Sequence, residues 1–282
     1  MPIAQVRGVN INYEVLGSGG PWVALSPGGR RALDNVKPLA RRIADAGYRV
    51  LVHDRRNCGL SDIVIGAETS EYETWADDLY DLLSQLKAMP VVVGGSSSGC
   101  RLSLLFALKY PQAVRALLLW RVTGGAFAAE RLTDNYYDKY IRAAQEGGMA
   151  AVCALDHFQE RIAARPQNRA VLMAMEPKTF IAAMQRWREQ FAKGAELPII
   201  GASERDLNSI KIPTCIVPGN DKTHSHATAA AAHRMIAGSE LYDLFPGDLD
   251  IDLVPTEDWA PKESEMAKVF VDFLARQQAK AA

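Results

Sequence analysis

Hydrophobic and polar positions change their period several times along the 282-residue chain. Residues 9–15 alternate apolar and polar side chains, which predicts an exposed edge strand near the N-terminus. Residues 22–26, 49–53, 90–93 and 114–120 are instead nearly continuous apolar runs, short enough to be strands buried on both faces. Between them, residues 39–46, 72–86 and 101–108 carry apolar side chains at helical spacing, with Gly47 and Pro111 as stop signals. Buried strands separated by helices predict a doubly wound, mostly parallel α/β sheet. The pattern returns late, with strands at 214–217 and 240–245, a helix at 227–237 between them and a final amphipathic helix at 263–276. From 123 to 211 the alternation breaks, and the spacing is helical almost throughout. This predicts a core of residues 1–122 and 212–282 with 123–211 inserted as a helical cap; ordinary helices packed at the side are the simpler alternative.

Composition narrows the class. Hydrophobic residues make up 48% and charged residues 23%, and a chain of this length needs no covalent staples to hold a core. Lys and Arg number 32 against 33 Asp and Glu, which excludes a strongly basic nucleic-acid binder and gives no sign of an anionic-membrane ligand. Cys58, Cys100, Cys153 and Cys215 are scattered without a C-x-x-C pair, as expected of reduced thiols in the cytoplasm. The first seven residues lack the basic and apolar regions of a signal peptide, and no apolar run is long enough to span a bilayer. The expectation is a cytoplasmic protein with a small-molecule substrate and no nucleic-acid or membrane partner; self-association into a homo-oligomer stays open.

One segment carries chemistry. Gly95-x-Ser97-x-Gly99 follows a predicted strand and opens a predicted helix. A serine on so sharp a turn adopts strained backbone angles, and flanking glycines remove the clashes between strand and helix. The turn lifts the Ser97 hydroxyl to the sheet's C-terminal edge, and the next amide, that of Ser98, points where an oxyanion would form. A serine-rich turn that merely caps a helix is the bland reading.

With these residues the chain resembles the α/β-hydrolase superfamily, in the capped branch of esterases, lactonases, C–C bond hydrolases and haloperoxidase-like proteins. Ser26-Pro27-Gly28-Gly29 stands where that family has its oxyanion turn, with Pro27 in place of a frequent histidine. Residues 54–61 look like the family's D-x-R-G-x-G-x-S loop, with Asn57 replacing a glycine. Residues 217–224 look like its P-G-x-D-x-x-H segment. The resemblance implies Ser97 as nucleophile, the Gly29 and Ser98 amides as oxyanion hole and Asp221 as triad acid. It also implies a hydrolase for an ester, lactone or C–C bond of a small carbonyl compound, with no cofactor and no metal.

The family's histidine should follow the last strand, yet residues 245–255 hold none and no histidine occurs after His233. A serine hydroxyl needs a base to become a nucleophile, so the relay is rewired or absent. His224 and His226 are candidate replacements, and His157, on the predicted cap, could hang over Ser97. Asp248, Asp250 and Asp252 alternate and could instead bring a carboxylate, Asp250 foremost, into the histidine's place. As a calcium loop the run fails, with Leu253 and Trp259 at its sixth and twelfth positions. Arg30 is a candidate grip for an anionic substrate group, whereas Arg56 and Arg101 read as structural. Trp187 is a candidate pocket wall. Two other functions remain in play: a cofactor-free lyase using a loop carboxylate, and a non-catalytic small-molecule binder.

Overall fold

The computed structural model describes residues 2–66, 69–245 and 247–281. Its centre is one eight-stranded sheet. The strands are β1 (Ile3–Val6), β2 (Val9–Leu16), β3 (Trp22–Ser26), β4 (Arg49–His53), β5 (Val91–Ser96), β6 (Val114–Trp120), β7 (Thr214–Val217) and β8 (Glu240–Leu241). They lie in the order β1-β2-β4-β3-β5-β6-β7-β8. The β1–β2 and β2–β4 pairings are antiparallel and all others are parallel. Every residue of β5 and β7 is buried. That is the reason these strands read as unbroken apolar runs rather than alternating ones.

Two strand expectations are corrected. Residues 9–15 form no edge, because β1 pairs outside β2 through a tight turn in which Arg7 and Gly8 both adopt positive φ, 47° and 77°. At the far side only Glu240 and Leu241 pair with β7, so the strand expected over 240–245 stops early.

Helices cover both faces. α1 (Lys37–Asp45) and the C-terminal α12 (Glu263–Ala281) bury Leu39, Ile43, Phe270 and Phe273 in one core. On the other face α2 (Glu71–Gln85), α3 (Ser98–Lys109) and α10 (His226–Met235) bury Trp75, Leu79, Leu102, Phe106 and Ala229. Between β6 and β7 runs a segment that adds no strand to the sheet. It holds α4 (Ala126–Thr133), α5 (Lys139–Cys153), α6 (Asp156–Ala164), α7 (Gln167–Met173), α8 (Pro177–Ala192) and α9 (Glu204–Ser209). A π-helical turn, Asp134–Asp138, joins α4 to α5. A short α11 (Thr256–Trp259) precedes α12. Among the described residues no helix is long and apolar enough to cross a membrane. β5 is flanked by β3 and β6, so the loops leaving all three, and that leaving β7, meet at one sheet edge. This is where open α/β sheets hold their ligands.

Candidate active site

Ser97 sits between β5 and α3 with φ 52° and ψ −111°, a strained backbone for a non-glycine residue. The glycines around it are required by close approach. A Cβ on Gly95 would lie 2.3 Å from the Gly99 carbonyl carbon, and one on Gly99 would lie 2.2 Å from the Ser26 carbonyl oxygen. The Ser97 amide donates to the Trp120 carbonyl at 3.1 Å, tying the turn to the end of β6.

A histidine on the loop after β7 reaches the serine. His224 Nε2 lies 2.9 Å from Ser97 Oγ, and its Nδ1 lies 2.9 Å from Asp221 Oδ1. A carboxylate only accepts, so Nδ1 carries the proton and donates it to Asp221. Nε2 is then the acceptor that faces the serine hydroxyl. Asp221 and His224 are three residues apart on one turn, closed by the His224 amide donating to the Asp221 side chain at 2.8 Å. Gly219 makes the turn feasible, since a Cβ there would meet the His224 carbonyl oxygen at 2.2 Å.

Asp221 is fully buried. Its second oxygen accepts from Arg121 at 3.0 Å and from the Val254 amide at 2.9 Å. Burial alone would raise its pKa. The bonds from His224 and Val254 and the charge of Arg121 outweigh that and hold the carboxyl well below the ordinary range. Burial likewise pushes the His224 imidazolium down, against the pull of Asp221 and with the help of Arg121, so the ring stays neutral at neutral pH.

The turn after β3 completes the constellation. Gly29 has φ 51°, and its carbonyl accepts from Arg55 and from Ser98 Oγ, both at 2.7 Å. The Gly28 carbonyl accepts from the Arg31 amide at 3.2 Å, so the Gly29 N–H, antiparallel to it across the trans peptide, points the other way. The Gly29 amide and the Ser98 amide, which opens α3, find no acceptor among the described residues. A Cβ on Gly28 would touch Ser97 Cβ at 3.4 Å, which shows how near this turn lies to the hydroxyl.

Two spaces meet at Ser97. An outer cavity of about 260 Å³ is lined by Gly28, Gly29, Thr223, His224 and Leu132, among others. An inner niche of about 10 Å³ is lined by Ser98, Arg101, Thr123, Phe191 and Ile200, among others.

Of the residues expected at the site, Ser97, Ser98, Gly29, Asp221 and His224 come together, Arg30 lines the outer cavity beside them, and Asp250, His157 and Trp187 lie elsewhere. Asp250 is 93% exposed and pairs with Lys222 at 2.7 Å. The loop that carries it uses its backbone instead: the Ile251 and Asp252 carbonyls accept from the Lys222 and Thr223 amides at 3.0 and 3.2 Å. Arg30 reaches the outer cavity wall, but its guanidinium is bonded to Glu71 at 2.9 Å and lies over the rings of Tyr136, Tyr137 and Tyr140. His157 stacks on Tyr140 at 6.1 Å within the helical segment and lines neither space beside Ser97. Trp187 donates to the Thr69 carbonyl at 3.0 Å and faces a separate cavity with Arg56 and Trp75. The remaining histidines are also elsewhere: His226 faces Asp243, His233 faces Ser239, and burial pushes His53 down to about 3.

Thr123, 3.4 Å from Ser97 Oγ, and Arg121 escaped sequence reasoning. Their signal was positional. Both follow β6 directly, and parallel pairing sets the end of β6 beside the Ser97 turn.

Comparison with known proteins agrees with this architecture. A family model described as alpha/beta hydrolase fold matches residues 21–142. An uncharacterized hydrolase, YraK, of Bacillus subtilis (strain 168) is 35% identical over 114 residues, 40% of this chain and 41% of that protein. The chain thus spans about two fifths of that relative. The non-heme chloroperoxidase CPO-A1 of Kitasatospora aureofaciens is 27% identical over 248 residues, 86% of this chain and 89% of that one. The enol-lactonase of Burkholderia xenovorans LB400 superposes with a TM-score of 0.65 at 19% identity, covering 97% of this chain and 100% of its own, a likeness of fold.

Proposed function

We propose that the chain, which matches an alpha/beta hydrolase fold model over residues 21–142 and shares that fold with the enol-lactonase, hydrolyses a small carbonyl compound, an ester or lactone, by acyl transfer through Ser97. The 2.9 Å contact of His224 Nε2 with Ser97 Oγ, with Asp221 behind Nδ1, carries this reading. Ser97 Oγ forms a bond to the carbonyl carbon and passes its proton to His224. The negative oxygen of the tetrahedral intermediate accepts from the Gly29 and Ser98 amides. His224 then gives its proton to the departing oxygen as the C–O bond breaks. Water, deprotonated by the same nitrogen, releases the acid and restores Ser97. Asp221 stays ionised throughout, orienting the ring and stabilising its transient positive charge. Proton transfer of this kind is worth about 10²–10⁴-fold and an oxyanion donor about 10²–10³-fold.

The relay differs from the usual family arrangement in carrying acid and base on one turn after β7. The helical segment between β6 and β7 acts as the cap, placing Leu132, Tyr136 and Phe191 beside the nucleophile. A lyase led by Asp250 loses its support with that carboxylate in solvent.

A fluorophosphonate, which phosphonylates activated serines, tests the proposal. The wild-type protein should label rapidly, Ser97→Ala should not label, and His224→Ala should label slower by about 10²-fold or more. Absence of labelling at any pH, or labelling retained in Ser97→Ala, would overturn it in favour of a binding role.

A further inference from the structure

The two spaces at Ser97 are not equivalent. His224 lines the outer cavity and is absent from the inner niche. On the hydrolase reading above, from which this inference proceeds, the departing alcohol takes its proton from His224, so it occupies the outer cavity. The acyl part must then lie in the niche. At about 10 Å³ the niche holds little more than one water-sized group, which restricts the acyl chain to something like acetyl.

The charge on the outer wall is one-sided. Its ionisable lining consists of Arg30, Arg31, Arg121, Arg131, Tyr136 and His224, and among the described residues no Asp or Glu lines it. Two of these cations are already compensated. Arg30 pairs with Glu71 at 2.9 Å, and Arg121 pairs with Asp221 at 3.0 Å. The side chains of Arg31 and Arg131 make no hydrogen bond or ion pair with any described residue. Their charges nevertheless reach the site: Arg131 helps to push the His224 imidazolium down, and Arg31 acts on Arg121 in the same sense. A chamber walled by low-dielectric protein and one sign of charge concentrates the opposite sign. Free guanidiniums there match a carboxylate with two parallel hydrogen bonds.

We infer that the substrate is a short-acyl ester whose departing alcohol carries an anionic group, and that Arg31 and Arg131 receive that group at the outer cavity. They are specificity residues: they select and orient the leaving half while Ser97 and His224 perform the chemistry. The products would be a short carboxylic acid and an anionic alcohol.

A matched pair of aryl acetates isolates the effect: 4-acetoxybenzoate, anionic, and 4-acetoxybenzamide, its neutral counterpart. The wild-type enzyme should favour the anionic ester in kcat/KM, and the preference should shrink as salt is added. In Arg31→Gln/Arg131→Gln the ratio of the two kcat/KM values should fall about tenfold, mostly through KM. The neutral ester serves as internal reference for general damage. Arg31→Lys/Arg131→Lys should keep most of the preference. If both esters are cleaved equally, or the ratio survives the double glutamine substitution, the anion assignment is overturned and the hydrolase reading stands. Cleavage of neither ester while fluorophosphonate still labels Ser97 overturns the short-acyl assignment alone. Cleavage of neither with no labelling overturns the hydrolase reading itself.

Discussion

At the scale of single residues, the proposal turns on the protonation of His224. The ring can accept the Ser97 proton only when neutral. Burial, together with Arg121 and Arg131, depresses its pKa from the ordinary 6.5 despite the pull of Asp221. The neutral form, populated above the folded pKa, is therefore already dominant below pH 6.5. The acid limb of kcat/KM for acetate-ester hydrolysis should be centred below that value, with full activity through neutrality. A limb at or above 6.5 would show that the imidazole titrates as a free one, outside the buried relay. The turn that carries Ser97 was legible from its flanking glycines, and Asp221 was singled out only by the resemblance of residues 217–224 to a family segment. His224 was legible only as one candidate among several. Its separation from Asp221 says that the two are near, but the direction of the imidazole depends on how the turn closes over Gly219, a tertiary fact.

Among the elements, two loops lie side by side, so on the proposed reading the base can stand on either. Residues 218–224 leave β7, and residues 248–254 occupy the region after β8. The Leu249 amide donates to the Asn220 carbonyl at 2.9 Å, and the Lys222 and Thr223 amides return bonds to Ile251 and Asp252. The Val254 amide ends the ladder on Asp221. The aspartate alternation over 248–252 was therefore a false sign of chemistry: the chain bends there, its backbone bonds to the Asp221 turn, and Asp250 is exposed to solvent. Substitutions separate these two roles. Asp250→Asn should leave ester turnover unchanged. Gly219→Ala puts a Cβ 2.4 Å from His224 Cβ and must displace the base. Its kcat should fall by about 10²-fold or more, while the circular dichroism spectrum shows the fold intact. Equal turnover in Gly219→Ala would mean that the turn can shift without moving the imidazole from Ser97.

On the scale of the whole molecule, the doubly wound sheet was largely legible, because buried parallel strands and amphipathic helices impose different periods on the sequence. The edges were not. β1 is four residues long, too little chain for a period to declare itself, and β8, expected over 240–245, pairs over only two residues. The same sheet separates stability from chemistry. Phe270 of α12 is fully buried and lies 5.6 Å from the ring of Trp120, whose carbonyl holds the Ser97 amide. Phe270→Ala should cost about 3–5 kcal/mol through lost burial and the cavity left behind. For a chain of this size that lowers the melting temperature by roughly 5–8 °C. The hydrogen bonds that join the hydroxyl to the imidazole and the imidazole to the carboxylate do not involve Phe270, so well below the transition kcat should stay within about threefold of wild type. Thermal melts paired with acetate-ester turnover on the same samples decide the point. A melting temperature within a degree or two of wild type would contradict the packing of this core. A folded Phe270→Ala protein that had lost turnover would mean that the Ser97 turn keeps its strained geometry only while α12 presses on β6 from below.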